Sequence, residues 1–171
     1  IDMIKKIKIV VPTLNTYKIL PNLVNSLKDQ TWNNWNLLFV DGDSDEIHHE
    51  YLKSSCKDDA RIKILKQENN YKGIYGAMNQ GFETIKENEW VLFWGSDDWA
   101  ASSKVFESIV KKVNSYSDEF DIVVCKGRYI DNRSKKLSRV SSFLNSRYSN
   151  ILDKRNFRAK LFFGMTPPHQ A

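Results

Sequence analysis

With 171 residues, 41% of them apolar and 12% aromatic, the chain suits one domain that buries roughly 70% of its unfolded surface, and it is too apolar for intrinsic disorder. No apolar run approaches the roughly 20 residues that cross a bilayer, and the opening IDMIKKIKIVVPTLN has too short an apolar stretch for a secretory leader. The net charge of +5 hides two regimes: residues 1–125 carry 15 Lys/Arg against 19 Asp/Glu, whereas residues 126–160 carry 11 against 2. Such a basic segment suits an anionic partner, whether a diphosphate, an acidic membrane surface or a nucleic acid.

Lys8–Pro12 is a short β-branched run closed by proline, the mark of a buried strand. Ile19, Leu20, Leu23, Val24 and Leu27 then recur at helical spacing, with Pro21 in the first turn, and predict a helix ending near Gln30. A second strand, Trp35–Val40, stops at Asp41-Gly42. Asp43, Ser44 and Asp45 offer caps for a helix carrying Ile47, Tyr51 and Leu52. Arg61–Lys66 alternates as a third strand. After Gly73, the residues Ile74, Ala77, Met78, Gly81, Phe82 and Ile85 trace a helical face. Glu89–Trp94 is the fourth strand, Ser102 or Ser103 is expected to cap a helix through Val113, and Phe120–Lys126 is the fifth. Beyond it, a turn around Asp131-Asn132 suggests a hairpin and residues 151–163 a helix. Cys56 and Cys125, without any CxxC spacing, are read as reduced cytosolic thiols, Cys125 within a core strand.

Solid apolar strands alternating with helices imply an α/β fold: an open, mostly parallel, Rossmann-like sheet with helices on both faces. Such sheets bind ligands at the carboxyl ends of their strands. Three strand ends here deliver polar groups: Pro12-Thr13-Leu14-Asn15, Asp41-Gly42-Asp43 and Ser96-Asp97-Asp98. Each has an ordinary alternative, since Asp-Gly is a common turn and one aspartate suffices for a cap. Two adjacent carboxylates between Trp94 and Trp99, however, need a counter-charge. A hard cation such as Mg²⁺ or Mn²⁺ supplies one and completes its shell with phosphate oxygens. Neither GxGxxG nor GxxxxGK[ST] occurs, which leaves a nucleotide diphosphate held through a metal.

VVPTLN (10–15), NSLKDQTW (25–32), FVDGDSD (39–45), KGIYGAMNQGF (72–82) and FWGSDDW (93–99) together resemble family-2 glycosyltransferases of the GT-A fold, in particular bacterial members acting in colanic acid and other surface-polysaccharide synthesis. The likeness resumes at GMTPPHQA (164–171). The resemblance implies a metal-dependent, inverting transfer of a sugar from a nucleotide donor, expected to be UDP-linked, to a hydroxyl of a glycan or lipid-linked acceptor. It assigns Pro12, Thr13 and Asn15 to the base and ribose, Asp41 to the uracil ring, and Lys72, Gly73, Met78 and Asn79 to the nucleotide and its phosphates. Ser96 and Asp97 flank the diphosphate, and Asp97 and Asp98 hold Mn²⁺ or Mg²⁺. By residue chemistry alone, Gly73 and Gly76 equally suit turn and packing roles, and Ile74 and Met78 suit the core. Two departures stand out: Gly76 and Gly95 occupy positions where many relatives carry Asp, or an acidic residue or Asn. Residues 1–126 are expected to bind the nucleotide-sugar. Residues 127–171 form a basic acceptor-side segment, expected to touch the inner face of the membrane from the cytoplasm, with the rest of the catalytic domain beyond Ala171. The catalytic base is expected there too; His169 is the nearest candidate, better suited to a structural or acceptor-binding role. The alternatives are a sugar-nucleotide pyrophosphorylase, which wants a glycine- and arginine-rich loop where Thr13–Ile19 stands, and a basic nucleic-acid-binding module, for which no motif is present.

Overall fold

Ile7, Ile9 and Val11 line one face of the first strand and Val10 is buried on the other, which suits a strand inside a sheet covered on both faces. That is what the computed structural model shows, describing residues 6–87, 89–115, 123, 125, 127–131 and 137–141. Four parallel strands, β1 (Lys6–Thr13), β2 (Trp35–Asp41), β3 (Ile62–Lys66) and β4 (Glu89–Phe93), line up in the order β3-β2-β1-β4. They alternate with α1 (Leu20–Lys28), α2 (Glu46–Asp58), α3 (Gly73–Phe82) and α4 (Val105–Asn114).

The chain steps outward from β1 through β2 to β3, then returns to lay β4 on the other side of β1. Right-handed crossovers put the helices of the outward steps on one face and the helix of the return step on the opposite one. The cores agree. Ile7, Ile9, Val11, Leu37 and Phe39 pack with Leu20, Leu23 and Leu27 of α1, Leu52 of α2 and Phe106 and Val110 of α4, whereas Val10, Leu38 and Val40 pack with Ala77 of α3. A Cβ on Gly81 would sit 2.4 Å from Val10 Cγ1, so α3 lies directly on the sheet. The reversal of direction at β1 makes the carboxyl edge between β1 and β4 a topological switch point.

Several sequence expectations are corrected. Helix α4 opens at Val105 with Lys104 at its cap and no side-chain capping bond; Ser102 and Ser103 lie ahead of it because Gln30 holds this entry, accepting from Phe106 N–H at 3.0 Å and donating to the Ser102 carbonyl at 2.8 Å. Ile19, Ile47, Ile74 and Phe82 are exposed rather than core, since each helix buries a narrower stripe than its apolar content suggests. The expected fifth strand falls largely outside the described residues, and Cys125 lies in no strand. Both cysteines are free. The chain divides into two units, residues 1–120 and 121–171. Within the second, β5 (Gly127–Ile130) and β6 (Leu137–Ser141) pair antiparallel as the expected hairpin. The helix expected over residues 151–163 lies outside the described residues. Among those described, no helix is long and apolar enough to cross a membrane.

Candidate functional site

β1 and β2 end together. Thr13 pairs in register with Asp41, and Gly42 N–H donates to the Thr13 carbonyl at 2.9 Å. Asp41 is only 2% exposed, and a buried carboxylate must be compensated. It accepts from the Ser44 hydroxyl at 2.5 Å, from Ser44 N–H at 3.2 Å and from His49 Nε2 at 2.7 Å. Burial alone would raise its pKa; the Ser44 hydroxyl, His49 and the Ser44 N–H outweigh burial and hold it below the ordinary carboxylate value. The tautomer of His49 follows, since an ionised carboxylate can only accept: Nε2 carries the proton.

His48 is fully buried behind this carboxylate. Its Nε2 lies 3.0 Å from Thr13 Oγ1, itself 2.7 Å from Thr16 Oγ1, and 3.6 Å from Asp41 Oδ1. Burial lowers its pKa, against the pull of Asp41 and Asp45, so the ring is neutral at pH 7. The two loops are braced to each other through Asn15, whose φ of 53° is left-handed. Asn15 N–H donates to Ser44 Oγ at 3.0 Å, and its Oδ1 accepts from Asp45 N–H at 2.8 Å. Asp45 in turn caps α2 by accepting from His48 N–H at 3.0 Å. Pro12, one residue before the register pair, is half-buried. A cleft opens beside Asp41, walled by His49 and Lys53 of α2 and by Ile64 and Lys66 of β3.

The β3–α3 loop is held by two glutamines. Gln67 Nε2 donates to the carbonyls of Tyr71 and Gly73 at 2.6 and 2.8 Å, while Gln80 accepts from Glu68 N–H and donates to the Lys66 carbonyl, each at 3.1 Å. Gly73 opens α3 at φ 66° with open space where a Cβ would stand. Lys72, Gly73 and Asn79 are exposed and Met78 is half-buried. Gly76 is a packing glycine: a Cβ there would lie 2.4 Å from the Tyr71 carbonyl carbon. This loop closes onto the glycine in the place where an aspartate would project.

β4 ends differently. Trp94 N–H donates to the Val10 carbonyl at 3.1 Å, after which the chain turns, with Asp98 N–H on the Gly95 carbonyl and Gly95 N–H on Asp98 Oδ2, both at 3.1 Å. Asp97 is exposed, and Ser96 and Asp98 are half-buried. A Cβ on Gly95 would meet Asp97 Oδ1 at 2.8 Å and Asp98 Oδ2 at 3.0 Å. Both carboxylates therefore fold over the same glycine, filling room that a side chain at 95 would take. Among the described residues, no group of three His, Cys, Asp or Glu is arranged to hold a metal.

The fold thus brings Thr13, Asn15 and Asp41 into one network through Ser44 and His48, with Pro12 beside it in β1 and Ser96, Asp97 and Asp98 following the strand on the other side of β1. Lys72, Gly73, Met78 and Asn79 share the first turns of α3. His169 lies outside the described residues. Ser44, expected only as a cap, bonds Asp41 instead, and His48, His49, Gln67 and Gln80 lie outside the sequence expectations; the one available signal for them is a histidine pair one turn into the helix that follows a strand-end aspartate.

Comparison with known proteins bears on this arrangement. The family described as "Glycosyl transferase family 2" matches residues 8–168. Glycosyltransferase GlyA of Streptococcus pneumoniae is 30% identical over 158 residues, 92% of this chain and 22% of its own length. Among solved structures, TarS 1–349 of S. aureus in complex with UDP-GlcNAc superposes with a TM-score of 0.57 at 24% identity, over 64% of this chain and 31% of that one. The mannosyltransferase PcManGT of Pyrobaculum calidifontis, in complex with GDP-Man and Mn²⁺, superposes with a TM-score of 0.56 at 15% identity, over 63% of this chain and 32% of its own. The chain therefore spans between about a fifth and a third of the length of these three.

Proposed function

Because this chain belongs to glycosyl transferase family 2, we propose that it forms the donor-binding part of an inverting glycosyltransferase that moves a sugar from a UDP-linked donor to a hydroxyl of a glycan or lipid-linked acceptor in polysaccharide synthesis. One observation carries the reading. Asp41 ends β2 and the Asp97–Asp98 pair comes after β4, the two strands that flank β1 on either side, so both acidic groups belong to the carboxyl edge of one sheet, an arrangement that suits a nucleobase at one end and a diphosphate at the other. Asp41 accepts from the base, Thr13 and Asn15 shape the loop beside it, and the free N–H groups opening α3 at Gly73 favour phosphate oxygens.

The chemistry of the β4 end fits a divalent cation. Two hard carboxylate oxygens fold over Gly95, and a Mg²⁺ or Mn²⁺ site of this kind takes one or two carboxylates and completes its shell from water and phosphate. Asp97 and Asp98 would hold the ion, which when bound offsets charge growing on the departing diphosphate. Residues 126–160, with 11 basic against 2 acidic residues, support contact with an anionic membrane surface that carries a lipid-linked acceptor, from the cytoplasmic side. Titration calorimetry of UDP with and without Mn²⁺ tests the core of the reading. The ion should tighten UDP binding to the native chain and have no such effect on the Asp97→Ala and Asp98→Ala variants; unchanged metal-dependent affinity in both removes the assignment.

A further inference from the structure

The carboxylate assigned to the base is already occupied. Its side chain is 3% exposed, and Ser44 and His49 take three of its roughly four acceptor positions, while His48 stands 3.6 Å from Oδ1 near the fourth. A nucleobase N–H cannot simply be added; a partner must leave.

The partners differ in what holds them. Ser44 N–H belongs to the turn itself, and the Ser44 hydroxyl is fixed from behind by Asn15 N–H at 3.0 Å. His48 is fully buried against Thr13. His49 alone stands with its side chain 40% exposed, on α2, at the mouth of the cleft shared by Asp41, Lys53, Ile64 and Lys66. Its imidazole presents a single N–H to Oδ2 at 2.7 Å, which is also what the edge of a uracil presents.

Resting on the donor reading above, we infer that His49 is a specificity-determining residue that holds the place of the nucleobase: its Nε2–H occupies Asp41 Oδ2 until a base carrying a ring N–H displaces it, and the imidazole turns into the open cleft. A base whose ring nitrogen is an acceptor, such as cytosine, offers no ring proton to replace the one His49 withdraws, and would face a carboxylate with the lone pair of that nitrogen. The exchange therefore selects donors by the cost of leaving Asp41 uncompensated, which is larger than the gain from any one neutral hydrogen bond.

The test compares UDP with CDP by calorimetry on the native chain and on His49→Ala. Removing the competing N–H should tighten UDP about three- to tenfold, the size of one ordinary hydrogen bond, change CDP less, and so widen the ratio between them. On the native chain, the ¹⁵N–¹H signal of the His49 side chain should move on saturation with UDP and stay in place with CDP, a readout that needs no variant to fold. Equal or weaker UDP binding by a folded His49→Ala, or an unmoved signal under UDP saturation, overturns the exchange. If UDP binds the native chain and Asp41→Asn abolishes that binding while His49→Ala leaves it unchanged, the exchange falls and the donor reading stands. A native chain that does not bind UDP at all removes both.

Discussion

The two acidic sites on this sheet edge are built in opposite ways. Asp41 is sealed, with three protein donors on its carboxylate and its neighbours braced through Asn15 and Asp45. Asp97 is exposed, and the turn around it is held chiefly by the exchange of bonds between Gly95 and Asp98. A carboxylate that reads a neutral ring must be fixed in position and kept ionised by its own surroundings, because the ligand brings no charge to do so. Carboxylates meant for a hydrated cation need room and unspent oxygens instead. The difference places rigidity at the β2 end and adaptability at the β4 end.

Substitution should separate the two sharply. At the β4 end the largest effect falls on function: Asp97→Ala and Asp98→Ala should each lower Mn²⁺-dependent UDP affinity by about 100-fold, on the order of one lost charge-assisted contact, with melting temperatures nearly unchanged for Asp97 because its side chain is exposed. At the β2 end stability moves with function. Ser44→Ala removes the hydroxyl that bonds both Asp41 and Asn15 N–H and should cost about 1–3 kcal/mol in chemical denaturation, together with UDP binding. If Ser44→Ala left stability intact, the contrast between a sealed and an open site would be wrong.

The same contrast has a pH signature. The folded-state pKa of Asp41 is depressed, so its contribution to stability is present above the ordinary carboxylate value near 3.8 and is lost as pH falls through the lower, folded value. Denaturation midpoints from pH 5 down to pH 2 should therefore fall less steeply for Asp41→Asn than for the native chain. Equal slopes would mean that the Ser44 and His49 bonds do not hold the charged form.

How much of this was legible depended on whether a residue's role was local. The strands declared themselves because β-branched residues such as Ile7, Ile9, Val10 and Val11 cluster and are buried on both faces, and their ends lay near the residue at which apolar character stops. Asp45 was readable as a cap because capping involves only the next three residues. What stayed hidden is contact across elements. Gln30 could not be seen to set the entry to α4, since its partners lie over 70 positions away, and the serines that composition offered as caps were left outside the helix. His49 sits eight positions from Asp41, but one residue ends a strand and the other lies in a helix, so no single repeat relates them and the pairing emerges only once α2 is laid against the sheet. Ile74 was misjudged because helical spacing shows that a stripe exists but not where the sheet meets it.

Effects on stability alone discriminate between two uses of glycine within a single helix. Gly76 meets backbone: its missing Cβ would come within 2.4 Å of the Tyr71 carbonyl carbon, and backbone held by Gln67 cannot yield as a side-chain tip would. Gly76→Ala should cost about 1–3 kcal/mol. Gly73 has open space, and its only demand is its φ of 66°, so Gly73→Ala should cost about 1–2 kcal/mol through backbone strain alone. The two diverge in a third variant. Asparagine tolerates the left-handed region, so Gly73→Asn should recover part of the loss, whereas Gly76→Asn should be at least as damaging as Gly76→Ala, because the clash grows with the side chain. Thermal melts of the four variants give the comparison, and equal behaviour at the two positions would mean that the β3–α3 loop does not close on Gly76 in solution.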